Sequence, residues 1–160
     1  MVSTGAITGG CQCGAIRYRV EGGLTNAHIC HCRMCQKAAG NYFMPLAKAP
    51  NGRLQVTRGE IAYFHSSDLV RRGFCRDCGT PLIFETLGGT GPNVTLGSLD
   101  DPLAVKPGFQ GDPDAKIGWL DDLLGLPADE NSTAWFEKVA LSNHQHPDHD
   151  TETWPQEQRS

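Results

Sequence analysis

The chain has 160 residues, with 14 basic against 18 acidic side chains and a formal charge of −4. That length fits one domain with a core of its own, so disulfides are not required merely to fold it. The acidic balance argues against a general nucleic-acid or membrane-surface binder, although Arg71, Arg72 and Arg76 form a local basic stretch. No apolar run approaches the roughly 20 residues of a membrane span.

In chain order, residues 1–10 read as a short lead-in with neither the basic nor the apolar segment of a signal peptide, which predicts a cytoplasmic protein. Residues 15–20 alternate, with Ile16, Tyr18 and Val20 on one face and Arg17 and Arg19 on the other. This predicts a half-buried strand, ended by Glu21-Gly22-Gly23. One or two helical turns follow at 33–39. Strands are predicted over 41–47, 53–58, 61–66, 69–74, 81–86 and 93–97, separated by Asn51-Gly52, Gly59, Gly79, Gly88-Gly89 and Gly97. Many short strands with frequent turns predict a mainly β domain, and Phe43, Phe64, Phe74 and Phe84 read as its core.

Beyond residue 107 the pattern changes. Residues 107–115 read as a loop, 119–125 as a short helix, and 133–142 as the strongest helix of the chain. Trp135, Phe136, Val139 and Ala140 share one face of it, with Asn131 or Ser132 as N-cap. Trp119 and Trp135 read as core residues. After Asn143 the sequence is polar and predicts a loose, solvated tail that includes His144, His146 and His149. The expected organisation is one domain over 1–143 and a tail over 144–160.

The seven cysteines fall into three groups: Cys11-x-Cys13, Cys30-x-Cys32-x-x-Cys35 and Cys75-x-x-Cys78. An odd number of thiols in a reducing compartment points to metal binding rather than disulfides. Two pairs supply four thiolates, the closed tetrahedral set of structural zinc, and this assigns Cys11, Cys13, Cys75 and Cys78 to one site. Gly79 directly after Cys78 suits the tight turn such a knuckle requires. Cys30, Cys32 and Cys35 remain. Three thiolates leave a fourth position for substrate, the mark of a catalytic or ligand-binding zinc. The alternatives are a closed structural site or no metal. His31 lies between two ligands and is poorly placed to close the set; His28, His65, His144, His146 and His149 are the other candidates. A tri-thiolate zinc is a weak Lewis acid but accepts a further soft donor, and a coordinated thiol is deprotonated. Nearby positive charge would help, with Arg33 and Lys37 as candidates. Asp100-Asp101-Pro102 could hold acid–base groups but reads first as a turn.

The ordered motifs Gly9-Gly10-Cys11-x-Cys13-Gly14, Cys30-His31-Cys32-x-x-Cys35-x-Lys37, Phe74-Cys75-x-x-Cys78-Gly79-Thr80 and Gly97-Ser98-Leu99-Asp100-Asp101-Pro102 resemble the glutathione-dependent formaldehyde-activating enzyme family, including its centromere protein V-like group. The likeness covers roughly residues 8–103. It implies a mainly β fold, the suppressor-of-Sec-four-like fold, of several small antiparallel sheets around structural zinc, here followed by a C-terminal helix. It implies two Zn²⁺ sites: a structural one at Cys11, Cys13, Cys75 and Cys78, and a catalytic one at Cys30, Cys32 and Cys35. The implied reaction is addition of glutathione, or a similar thiol, to a small aldehyde such as formaldehyde, giving an S-hydroxymethylglutathione-type adduct. Members are often classed as carbon–sulfur lyases. Many relatives carry a His in an apolar strand after the Asp-Pro motif, whereas residues 112–120 here have none. Two other readings stand beside the enzyme: a glutathione- or zinc-binding carrier without turnover, and a zinc-stapled interaction module. The expected partners are a small thiol and an aldehyde, with no nucleic acid and no membrane.

Overall fold

The computed structural model describes residues 5–129 and 132–154. Strands β1 (Ile7–Gly10), β2 (Arg17–Val20) and β5 (Leu54–Arg58) form a three-stranded antiparallel sheet in the order β1-β2-β5. The second sheet contains β3 (Thr25–Cys30), β4 (Met44–Lys48), β6 (Ala62–Ser67), β7 (Val70–Phe74), β8 (Pro81–Thr86), β9 (Asn93–Thr95) and β10 (Phe109–Gly111). Its order is β10-β3-β4-β9-β8-β7-β6, and every pair in it is antiparallel except β10 beside β3. The chain is therefore mainly β, as its composition and turns predict.

One core draws on both sheets: Ile7, Tyr18 and Val20 from the smaller, Ala47, Ile83 and Val94 from the larger. Tyr18 is fully buried, and burial of its ring is tolerated because its hydroxyl meets Ser98 Oγ at 2.7 Å. Gly9 lets β1 pass over this pair, since a Cβ there would collide with the Ser98 carbonyl and the Tyr18 ring.

Helix α1 (Arg33–Ala39) follows β3 after a two-residue turn. Cys32 is its N-cap, with Sγ accepting from the Cys35 amide at 3.4 Å. Gly40 ends it in a left-handed conformation at φ 59°, and the Asn41 amide reaches back to the Gln36 carbonyl. Helix α2 (Thr133–Leu141) forms where expected, but Trp135, Phe136 and Val139 are exposed, so its apolar stripe does not enter the core. Ser132 precedes it without capping it through its side chain, and Asn131 lies outside the described residues. Trp119 is also exposed and meets Tyr42 edge-on at 4.8 Å. Phe64 is exposed and Phe43, Phe74 and Phe84 are half-buried, so none of the four lies fully inside the core.

Three strands escape the sequence reading. β1 lies in the expected lead-in and β10 in an expected loop. β3 is hidden because Asn26 adopts φ 51° at a register shift between Thr25 and His28, which breaks the alternation. The face assigned to Arg17 is corrected: its side chain is buried against Asp100 and Asp150, while Arg19 stays exposed.

The expectation of a loose tail is corrected for residues 146–154, which lie as a strap over the turn between β1 and β2; residues 155–160 lie outside the described residues. His146 is only 4% exposed, its amide donating to the Gln12 carbonyl at 2.8 Å. Trp154 Nε1 donates to the Cys13 carbonyl, and Asp150 accepts from Arg17 Nη2 at 2.8 Å. Arg58 bonds Thr151 and His146. Gly14, at φ +75°, makes room for the strap, since a Cβ there would collide with Trp154 and His146. The polar composition concealed this because each contact joins positions more than 80 residues apart.

Candidate metal centre

The structure gathers the cysteines into the two sets the spacing predicts. Cys11, Cys13, Cys75 and Cys78 converge, as do Cys30, Cys32 and Cys35, with the sulfur atoms of each set within 4.8 Å of one another. Cys11 and Cys13 come from the β1–β2 turn, and Cys75 and Cys78 from the β7–β8 turn, so the first set joins the two sheets. A zinc tetrahedron with bonds of about 2.3 Å has edges of about 3.8 Å. Cys11 and Cys13 lie 3.6 Å apart and Cys13 and Cys75 3.8 Å apart, which fits that ion.

The electrostatics differ along the set. Burial pushes the Cys11 and Cys13 thiols up. At Cys78 burial acts in the same sense, but hydrogen bonds from the Thr80 hydroxyl and the Thr80 and Cys13 amides outweigh it and bring the thiol down to about 6. The Ile16 amide lies 3.2 Å from Cys11 Sγ, and the Cys78 and Thr80 side chains are 3.2 Å apart. Amide and hydroxyl donors around sulfur suit thiolates, and a cation held at the centre would compensate their shared charge.

The second set is built differently. Cys30 ends β3, Cys32 caps α1 and Cys35 lies in its first turn, so the last two face the positive end of the helix. Burial pushes Cys35 up to about 12, opposed by a hydrogen bond from Arg72. At Cys32 burial is outweighed by the Cys35 amide, by the neighbouring thiols and by the Arg72 charge, and the thiol falls below its ordinary value. Among the described residues the set holds three ligands and no histidine. His31 is buried beside it, with Nε2 2.9 Å from Gln110 Oε1 and its amide donating to Gly111 O at 3.0 Å; it anchors β10 instead. His65 and His144 are exposed, and His146 belongs to the strap.

A cavity of about 170 Å³ opens onto Cys30, Cys32 and Cys35. Met34, Leu46, Val70 and Phe84 give it apolar walls, and His28, Asn93 and Arg72 supply the polar groups. His28 is fixed by a 2.7 Å contact between Nδ1 and the Asn26 carbonyl and by stacking on Phe109 at 5.0 Å. Arg33 and Lys37, the cations expected from sequence, are exposed on α1 and do not line the cavity. Arg72 does, with Nη2 3.5 Å from Cys35 Sγ. The sequence showed it only as part of a basic stretch; the period-two alternation of β7, which sets Arg72 and Arg71 on opposite faces, is the signal that could have singled it out. Asp100 and Asp101 lie elsewhere: Asp100 pairs with Arg17, and Asp101 Oδ1 accepts from the Leu103 amide at 2.9 Å, closing the predicted turn.

A β scaffold joined by four converging cysteines, with a second, three-cysteine set facing a cavity, defines a domain whose cysteines could hold metal at two places. The chain belongs to the family described as glutathione-dependent formaldehyde-activating enzyme, whose pattern matches residues 6–111 and so takes in all seven cysteines. A protein of Schizosaccharomyces pombe named as an uncharacterized lyase is 31% identical over 85 residues, covering 52% of this chain and 61% of the relative. The match thus spans less than two thirds of that relative's length. A crystal structure of a Rhodobacter sphaeroides protein shares the fold with a TM-score of 0.53, at 23% identity over 64% of this chain and 98% of that one.

Proposed function

We propose that the protein is a zinc-dependent carbon–sulfur lyase that joins glutathione, or a similar thiol, to a small aldehyde such as formaldehyde. The single observation that carries this reading is the three-cysteine set at the floor of an apolar cavity, beside a four-cysteine set that is closed. The S. pombe relative's name as a lyase and the family description support the same class. Cys11, Cys13, Cys75 and Cys78 would hold a structural zinc, and Cys30, Cys32 and Cys35 a catalytic one. Zinc bound there would keep an incoming thiol deprotonated near neutral pH.

The chain's residues do the rest. Leu46, Val70 and Phe84 keep water from the inner side of the reacting atoms, which strengthens the polar interactions there, while Met34 stands exposed at the rim. The cavity is sized for the thiol end of glutathione and a small aldehyde, so the remainder of the tripeptide lies outside it. In the forward direction the sulfur–carbon bond forms, the carbonyl π bond opens, and the proton given up by the thiol ends on the new hydroxyl oxygen. Asn93 and His28 are the wall groups available to hydrogen-bond that oxygen as charge develops. Seven free thiols suit a reducing compartment, the cytoplasm.

The test is exchange NMR on glutathione, formaldehyde and their adduct with the zinc-loaded protein, because the uncatalysed addition is itself fast. An exchange rate raised by the protein, and returned to the background by Cys32→Ser, is the expected result. A rate at background for the wild type would refute turnover of this pair and leave the thiol-carrier reading.

A further inference from the structure

Arg72 is a buried cation, 7% exposed, and among the described residues no carboxylate pairs with it. Its neighbours are the Ser66 hydroxyl, with Oγ 3.2 Å from Nε, the Met44 sulfur, 3.6 Å from Nη1, and the Phe84 ring, whose centre is 5.0 Å from the guanidinium carbon. Each is neutral. The remaining contact is Cys35 Sγ, at 3.5 Å from Nη2. A guanidinium taken out of water is costly unless an anion faces it. The one neighbour able to carry negative charge belongs to the three-cysteine set.

The charge count then selects among ligand sets. Three thiolates around a divalent ion carry a net charge of −1, which one guanidinium cancels. Two thiolates and a neutral imidazole would carry none and leave Arg72 uncompensated. A fourth ligand that is itself a thiolate adds another negative charge, and a fixed cation beside the set favours it over a neutral donor. Arg33 and Lys37 do this poorly, because they are exposed and screened by solvent.

We propose that Arg72 is the built-in counter-ion of the Cys30–Cys32–Cys35 centre, a positioning residue that biases the centre toward an anionic thiolate ligand over a neutral nitrogen donor. This rests on the reading of that set as a metal centre. Strand β7 holds the charge in place, since Arg72 pairs with Phe84 of β8 and with Phe64 of β6 in the sheet. Coulomb attraction over several ångströms at an effective dielectric near 20 corresponds to a preference of roughly ten- to a hundred-fold.

The experiment uses the full chain loaded with Co²⁺, in which sulfur ligation is read from sulfur-to-metal charge-transfer absorption. 2-Mercaptoethanol and imidazole are titrated separately into the wild type, Arg72→Met and Arg72→Lys. Arg72→Met should lower the ratio of thiol to imidazole affinity by about tenfold or more, and Arg72→Lys should hold it within about threefold. If Arg72→Met does not fold, Arg72→Gln takes its place and is read the same way. An unchanged ratio in the neutral variant overturns the proposal. So does a lysine variant that falls as far as the neutral one, because the effect would then be shape and not charge. No aldehyde is present, so this outcome is independent of whether glutathione and formaldehyde are the substrates.

Discussion

Asp100 accepts from both Arg17 terminal nitrogens, at 2.7 and 2.5 Å, and from Thr8 Oγ1 at 2.5 Å. Burial alone would push its carboxyl up, but the Arg17 and Thr8 hydrogen bonds outweigh burial and hold it below the ordinary carboxylate range. A carboxyl whose folded pKa is depressed stabilises the fold above its unfolded value, near pH 4, and that contribution disappears as pH falls through the folded value. Asp100→Asn is expected to cost roughly 2–3 kcal/mol at pH 7, softened because Asp150 still meets Arg17. Urea denaturation between pH 2 and 7 reads this directly: the variant should lose part of the wild type's acid sensitivity below pH 4. Equal sensitivity in the two proteins would place the linkage in other carboxylates. The turn at Asp101 was legible because its hydrogen bond is local. The ion pair was not, because Arg17 reads as the solvent side of an alternating strand and its partner is 83 residues away.

At the scale of elements, the strap formed by residues 146–154 covers the backbone around two candidate metal ligands, Cys11 and Cys13. Gln12 and Cys13 give their carbonyls to His146 and Trp154, so the strap holds the knuckle that aims Cys11 and Cys13. Gly14→Ala forces the strap off without touching a ligand, both by collision and by the strain of a Cβ at φ +75°. Trp154→Ala removes one anchor alone. Both variants should release zinc from the four-cysteine set to a chelator faster than wild type, Gly14→Ala more so, as followed with a colorimetric zinc indicator. Release at the wild-type rate would make the strap a passenger. The same region shows what periodicity misses: a segment without regular structure gives no pattern, although its side chains reach a buried surface. Helix α2 errs in the opposite direction, since its spacing declares an apolar face that the fold leaves exposed.

For the whole molecule, the cysteine spacing carried most of the information. A gap of one or two residues makes a local knuckle, and the pairs Cys11-x-Cys13 and Cys75-x-x-Cys78 plus a leftover triplet allow few partitions, so both sets were readable before any fold was known. How the sheets meet was not, because the order β10-β3-β4-β9-β8-β7-β6 depends on long-range register. The four-cysteine set lies where the smaller sheet meets the larger one, so a metal held there would be part of the folding free energy. Stripping zinc should lower the Tm by more than about 10 °C. Cys75→Ser should reproduce that loss, while Cys32→Ser, in a set that spans only the end of β3 and the start of α1, should shift the Tm by only a few degrees. Comparable losses in both variants, measured by calorimetry, would mean that the three-cysteine centre is structural too.

Strand β7 is shared property. It carries Arg72 near its middle and runs out one residue before Cys75, so an ion that grips Cys75 also fixes the backbone from which the guanidinium projects. A staple left empty would free the C-terminal end of that strand, while pairing with Phe64 of β6 and Phe84 of β8 still holds its middle.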